Sequence, residues 1–232
     1  MSSSDSRVDH QSGVGPQSAL AVAAWRHRPA WWLLLATVAM AVAADLASKY
    51  LAFRLVASFP VTVLREQVLA IKAADPRGIG QLIPAHEPVV VVPHILNWTL
   101  VLNPGAVFGM GAGQRVFFIT FTMLAVGFAV WMFALGTRAK DHWAHVGIGL
   151  LIAGGLGNLY DRVFYACVRD FIHPLPGVKF PFGLDPWNSN GAVWPYVSNV
   201  ADLFLLIGIG IVAVHLWRRD PDTERRSANS CV

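Results

Sequence analysis

Four carboxylates sit at or beside apolar stretches of this chain: Asp45, Asp161, Asp170 and Asp202. A charge at membrane depth is costly and is seldom there without a task. Asp202 is the sharpest case. It follows Asn199, Val200 and Ala201 and opens the apolar run 203–207, about one turn into an expected helix. Asp170 lies between Arg169 and Phe171, shortly after another apolar stretch ends. Two acids that meet near a membrane face can share one proton and activate water, which is the basis of aspartyl hydrolysis.

The other polar motifs have local readings of their own. Asp45 and Lys49 are four residues apart, so on a helix they share a face and can pair. They fit either an ion pair ending the first helix or a charged face turned into a bundle, with Ser48 beside them. Asn103, Pro104 and Gly105 lead through Phe108 to Gly109. That is a turn composition, or a loop whose Asn and Gly let another backbone approach. Gly154, Gly155 and Gly157 read as a packing face, but Asn158, Asp161 and Arg162 follow them at a helix end. Asp161 and Arg162 are adjacent and therefore point to different partners. Asn199 fits a helix N-cap, with Asp202 at the third helical position, where a carboxylate suits the helix dipole.

The elements that must hold these residues follow from hydropathy. The chain has 232 residues, is 55% hydrophobic and only 14% charged, whereas soluble domains carry roughly a quarter charged residues. Lipid is the expected solvent. Four stretches approach the length of about 20 residues that crosses a bilayer: 30–50, 116–135, 144–160 and 200–217. The third is short, and Gly147, Gly149, Gly154, Gly155 and Gly157 predict close helix packing along it. Residues 1–29 are a polar tail and residues 219–232 a charged one. Arg138 and Lys140 lie in a short loop, and Arg26, Arg28 and the basic C-terminal residues lie in the tails, which favours both tails in the cytoplasm. An alanine cluster at 41–44 resembles a signal-peptide cleavage site, but the spans that follow favour a retained first helix.

Two external segments remain, 52–115 and 161–199. Prolines and β-branched runs at 61–64, 89–92 and 99–102 predict short strands of a small sheet in the first. The second is rich in Gly, Pro and Trp. The net charge of +4 is distributed beside apolar runs, which excludes a nucleic-acid stripe. The two cysteines, Cys167 and Cys231, fall on opposite sides of the expected membrane, so no disulfide is expected. The eight histidines show no metal-ligand spacing. No internal repeat of the kind many carriers show is evident.

Taken in order, the five motifs resemble lipoprotein signal peptidase (signal peptidase II). They are Asp45/Ser48/Lys49, Asn103/Gly105/Phe108/Gly109, Gly157/Asn158/Asp161/Arg162, Val168/Asp170/Phe171 and Asn199/Ala201/Asp202. The resemblance spans residues 30–218 and implies a mainly α membrane protein, with four transmembrane helices and a small extracytoplasmic β-cradle within 55–103. It implies an aspartyl endopeptidase of the bacterial inner membrane that cuts diacylglyceryl-modified prolipoproteins before the lipidated cysteine. Its active site would lie near the outer face. The implied catalytic pair is Asp170 and Asp202. Asp45, Lys49, Asn103, Gly105, Asn158, Asp161, Arg162, Asn199 and Ala201 would bind substrate or support the dyad. The implied partners are lipidated prolipoproteins and membrane lipid, with no cofactor and no metal. The chain departs from the pattern in its long first external segment, in extra residues around 174–191, and in Ser198 where an aromatic is usual. An ion-coupled carrier and a non-catalytic membrane scaffold are the competing readings.

Overall fold

A computed structural model describes residues 23–75, 78–105, 115–187 and 189–218. The long helices are α1 (Arg28–Leu55), α3 (Arg115–Gly136), α4 (His142–Phe164) and α5 (Val200–Arg218), with a short α2 (Arg65–Ala74) outside the bundle. Pro29 opens α1, where its missing N–H costs nothing. Helices α1, α3 and α5 are long and apolar enough to cross a membrane. Helix α4, the third expected span, is not among them. It is the central helix, packed against α1, α3 and α5. It carries buried polar groups (His145, Asn158 and Asp161), as α1 does at Asp45 and Lys49.

Glycines make that central position possible. An added Cβ at Gly154 would lie 2.5 Å from the Ala201 carbonyl oxygen of α5, and one at Gly149 would lie 2.9 Å from Thr37 of α1. At Gly155 the nearest neighbour is Val126 of α3. Backbones approach closely only where no side chain intervenes, as the glycine pattern predicts.

The sheet is antiparallel, in the order β1 (Val89–Val92), β2 (Leu96–Asn103), β3 (Val168–Pro174). Strands at 89–92 and 99–102 form as expected. The β-branched run 61–64 does not. Its Val61 N–H donates to the Phe53 carbonyl at the end of α1 (2.8 Å), and Val63 is buried there. Packing onto α1 overrides the strand propensity, and α2 begins directly afterwards. The third strand comes instead from the second external segment, with Val101 paired to Asp170 and Asn103 to Val168. Leu100 and Leu102 of β2 join Phe53, Val56, Val68, Cys167 and Phe171 in one apolar cluster that fastens the sheet to the end of α1. A second cluster, including Leu34, Phe133, Ile148 and Val212, lies within the helices.

Candidate active site

The free edge of β3 brings the two acids together. Ser198 N–H donates to the Ile172 carbonyl (2.8 Å), and the Ser198 carbonyl accepts from Phe171 and Ile172. Asn199 and the start of α5 are thereby laid beside Asp170. Asn199 Nδ2 donates to Asp170 Oδ1 (2.5 Å). Its Oδ1 accepts from the Asp202 N–H (3.1 Å), while its own N–H donates to Asp202 Oδ2 (3.3 Å). This reciprocal cap satisfies two helix-terminal donors, as the Asn199/Asp202 spacing predicts. The cap also puts both carboxylates within reach of one asparagine. The local capping role and the pairing of the acids are thus compatible.

Asn158 of α4 closes the arrangement from the other side. Its Nδ2 donates to Asp202 Oδ1 (2.8 Å), and its Oδ1 accepts from Asn199 Nδ2 (3.1 Å). The two acids differ in environment: Asp170 is 1% exposed, whereas Asp202 is partly open. Burial pushes the Asp170 carboxyl up to about 7, with the nearby Asp202 charge adding to the rise. Hydrogen bonding by Asn199 and Asn103 opposes it. A carboxyl that holds its proton near neutrality beside a second, more open acid is the asymmetry that acid–base hydrolysis uses.

A buried ionic layer braces the dyad. Lys49 Nζ donates to Asp45 Oδ2 (2.8 Å) and to Asn158 Oδ1 (3.2 Å), and lies 3.4 Å from Asp161 Oδ2. Lys49, Asp45 and Asp161 are fully buried. Asp45 Oδ1 accepts the Ala201 N–H (2.8 Å), which docks α1 onto the first turn of α5. Gly157 is required there, because a Cβ would occupy the position of the Asp45 carboxylate. Asp161 is also gripped by Arg169, through its backbone N–H (3.0 Å) and two guanidinium nitrogens. Two acids and two bases thus neutralise one another, which is the condition for burying charge. Asp161 and Arg162 do take different partners. Arg162 donates to the Asn158 carbonyl (3.2 Å) and lies over the Phe118 ring, and its Nε is buried with no hydrogen-bond partner.

Asn103 and Gly105 stand on the other flank. Gly105 N–H donates to Asn103 Oδ1 (2.9 Å), and Gly105 has φ +98°, a conformation glycine adopts readily. Phe108 and Gly109 of this motif lie outside the described residues. Sequence reasoning gave no role to Arg169 or to Lys72. Arg169 was visible inside the Asp170 motif, but its partner Asp161 was not. Lys72 of α2 donates to the Pro104 (3.0 Å) and Ala166 (2.6 Å) carbonyls, tying α2 to the loops before and behind the site. No local pattern marks it. Cys167 is buried close by, its thiol pushed up to about 12 by burial, so it is inert. Among the described residues no His, Cys, Asp or Glu group could hold a metal.

Fold and site together define a helical membrane protein with a carboxylate pair held at one end of its helices. Residues 37–218 match the family model of signal peptidase (SPase) II. The chain is 35% identical over 178 residues to the lipoprotein signal peptidase of Mycobacterium avium (strain 104), covering 75% of this chain and 85% of that protein. It is 31% identical over 129 residues to the lipoprotein signal peptidase of Streptococcus pyogenes serotype M5 (strain Manfredo), covering 56% of this chain and 74% of that protein. A bacterial membrane enzyme solved by the in meso method at 2.3 Å resolution aligns with a TM-score of 0.48 and 28% identity, over 68% of this chain and 88% of that one. The chain belongs to the signal peptidase II family. It is a protease and a bacterial membrane protein.

Proposed function

We propose that this chain removes signal peptides from lipoprotein precursors by aspartyl chemistry, with Asp170 and Asp202 as its catalytic pair. The reaction follows from the family and from relatives named for it. The observation that carries the assignment of the pair is the amide bridge. Asn199 and Asn158 each reach across the site, so the two carboxylates face one reacting volume.

In this reading the pair holds one proton between its two carboxyls, because two like charges side by side are costly. Its ionised member takes a proton from water as the oxygen attacks the scissile carbonyl. Its protonated member gives its proton to the carbonyl oxygen; as the C–N bond breaks, the proton taken from water passes to the leaving nitrogen and the hydroxyl proton returns to the pair. The turn that starts at the partly open Asn103 and Pro104 suits the substrate backbone, and Arg162 supports it from behind. Asp45, Lys49, Asp161 and Ala201 brace the pair and stand away from the substrate. The substrate in this reading is a diacylglyceryl-modified prolipoprotein cut before its lipidated cysteine. Its acyl chains stay in lipid while the scissile bond reaches the helix ends.

In this reading α4 is the fourth span. At 23 residues it is about 34 Å long, enough for a hydrocarbon core of about 30 Å. Residues 30–218 then form one peptidase domain of the inner membrane. Both tails are cytoplasmic and the pair lies near the outer face. An ion-coupled carrier or a scaffold has no observation in its favour, since Lys49 is fully engaged by internal partners.

The test is cleavage of a diacylglyceryl-modified prolipoprotein by purified wild type, Asp170→Asn and Asp202→Asn. Cleavage before the modified cysteine by wild type alone supports the proposal. Equal cleavage by all three folded proteins refutes the assignment of the pair. No cleavage by folded wild type refutes the proposed substrate.

A further inference from the structure

The peptidase chemistry makes no use of the hairpin between β3 and α5. Val193 N–H donates to the Val178 carbonyl (2.9 Å) and Phe180 N–H to the Gly191 carbonyl (2.8 Å), with an antiparallel bridge between Lys179 and Ala192. Beyond this short ladder the tip exposes large apolar side chains. The exposed Asp185 carboxylate accepts the Ser189 N–H (2.8 Å), which closes the tip on itself. The apolar side chains turn outward: Phe182 is 97% exposed and Leu184 57%.

Four further features of the segment bear on what covers this tip. Phe182 has φ 60° and ψ 21°, a left-handed conformation that Gly or Asn adopts more readily than an aromatic residue. An outlier of this kind at an exposed side chain points to a function for the side chain. Lys179 and Asp185 are the only charged residues from 174 to 198, so the segment has no net charge to keep it in water. Trp187 and Trp194 meet Tyr196 edge-on at 6.3 Å each. Such amphipathic rings collect at membrane–water interfaces. The hairpin is also anchored close to lipid. Its return strand leads through the Ser198–Ile172 bridge straight into α5, a helix of membrane-crossing length.

We infer that the hairpin tip, led by Phe182 and Leu184, inserts into the phospholipid leaflet on the dyad's side of the membrane. The occupant of this surface is bilayer lipid. The insertion fixes the height of β3, and so of Asp170, relative to the leaflet in which a lipidated substrate would lie. The inference rests on the membrane reading and not on which residues cleave.

The experiment uses the full chain carrying Cys231→Ser, in phospholipid nanodiscs without substrate. Phe182→Cys and, separately, Leu184→Cys are labelled with bimane; Cys167 is buried and stays unlabelled. Met123→Cys, exposed on α3, is the lipid control and Glu87→Cys the water control. Both hairpin labels should lose emission to phospholipid bearing a shallow nitroxide, as the α3 label does, and resist iodide. Quenching by iodide alone, matching Glu87→Cys, overturns the inference. Nitroxide quenching that appears only after a diacylglyceryl-modified prolipoprotein is added also overturns it, in favour of substrate contact. Cleavage is not the readout, so failure of the peptidase assay and failure of insertion are separate results.

Discussion

Replacing Asp170 with asparagine should stabilise the protein at alkaline pH while abolishing its activity. The reason lies in where the carboxyl is buried. Its proton is held up to about 7, against an ordinary 3.8 in the unfolded chain. Between those values the folded chain keeps a proton that the unfolded chain has released, so wild-type stability falls as pH rises through that window. The full difference is about 4 kcal/mol, at about 1.4 kcal/mol for each tenfold change in proton affinity. Asparagine has the same shape, keeps an oxygen for Asn199 Nδ2 and never ionises. Asp170→Asn should therefore match wild type near about pH 4 and gain on it up to about pH 8, by as much as about 4 kcal/mol. Because the Asp202 charge is the second cause of the rise, the gain should shrink in an Asp202→Asn background. Reversible unfolding in mixed micelles across this pH range, with cleavage assayed on the same samples, measures both effects. A gap that does not change with pH, or a wild type that is the more stable protein at high pH, would refute the reasoning.

Lys49→Met should destabilise the fold by about 3–5 kcal/mol, because Asp45 and Asp161 would be left buried without their shared cation; micelle unfolding reads this directly. Gly157→Ala should cost about 1–3 kcal/mol by forcing a methyl against the Asp45 carboxylate, and cleavage should fall as the α1–α5 contact at Ala201 loosens. Asn158→Ala and Asn199→Ala each remove hydrogen bonds to a carboxylate, worth about 1.5–3 kcal/mol, or about ten- to a hundredfold in kcat/KM. That loss should be smaller than for either Asp→Asn change, and equal losses in folded proteins would contradict the division between catalytic and supporting residues. The alkaline limb of the cleavage profile should fall near the value to which Asp170 is raised, about 7, as the shared proton leaves the pair.

Much of the architecture follows from local physics. Span ends at 30, 116 and 200 fall within two residues of the observed helix starts at Arg28, Arg115 and Val200, because hydropathy changes sharply where chain leaves lipid. The Asn199–Asp202 cap and the Asp45–Lys49 pair are contacts three and four residues apart, fixed by helix geometry alone. The glycines of α4 announced close packing without naming the partner of each. Local pattern misled at 61–64, where β-branched residues pack on α1 and form no strand. It also gave no sign that residues 168–174 would supply the third strand. Strand pairing between distant segments depends on which surfaces the rest of the chain presents, and no window of sequence contains that information.

The residue types and their order determined by themselves that this is a membrane protein with a set of acids and amides at helix ends. Tertiary structure decided the rest. Ser198 pairing along β3 set Asp202 beside Asp170, and the bundle then sealed Asp170 away from water while leaving Asp202 partly open. Proton affinity depends on desolvation and on neighbouring charge. Both are properties of the space around a carboxyl, and the sequence specifies that space only after the chain has folded.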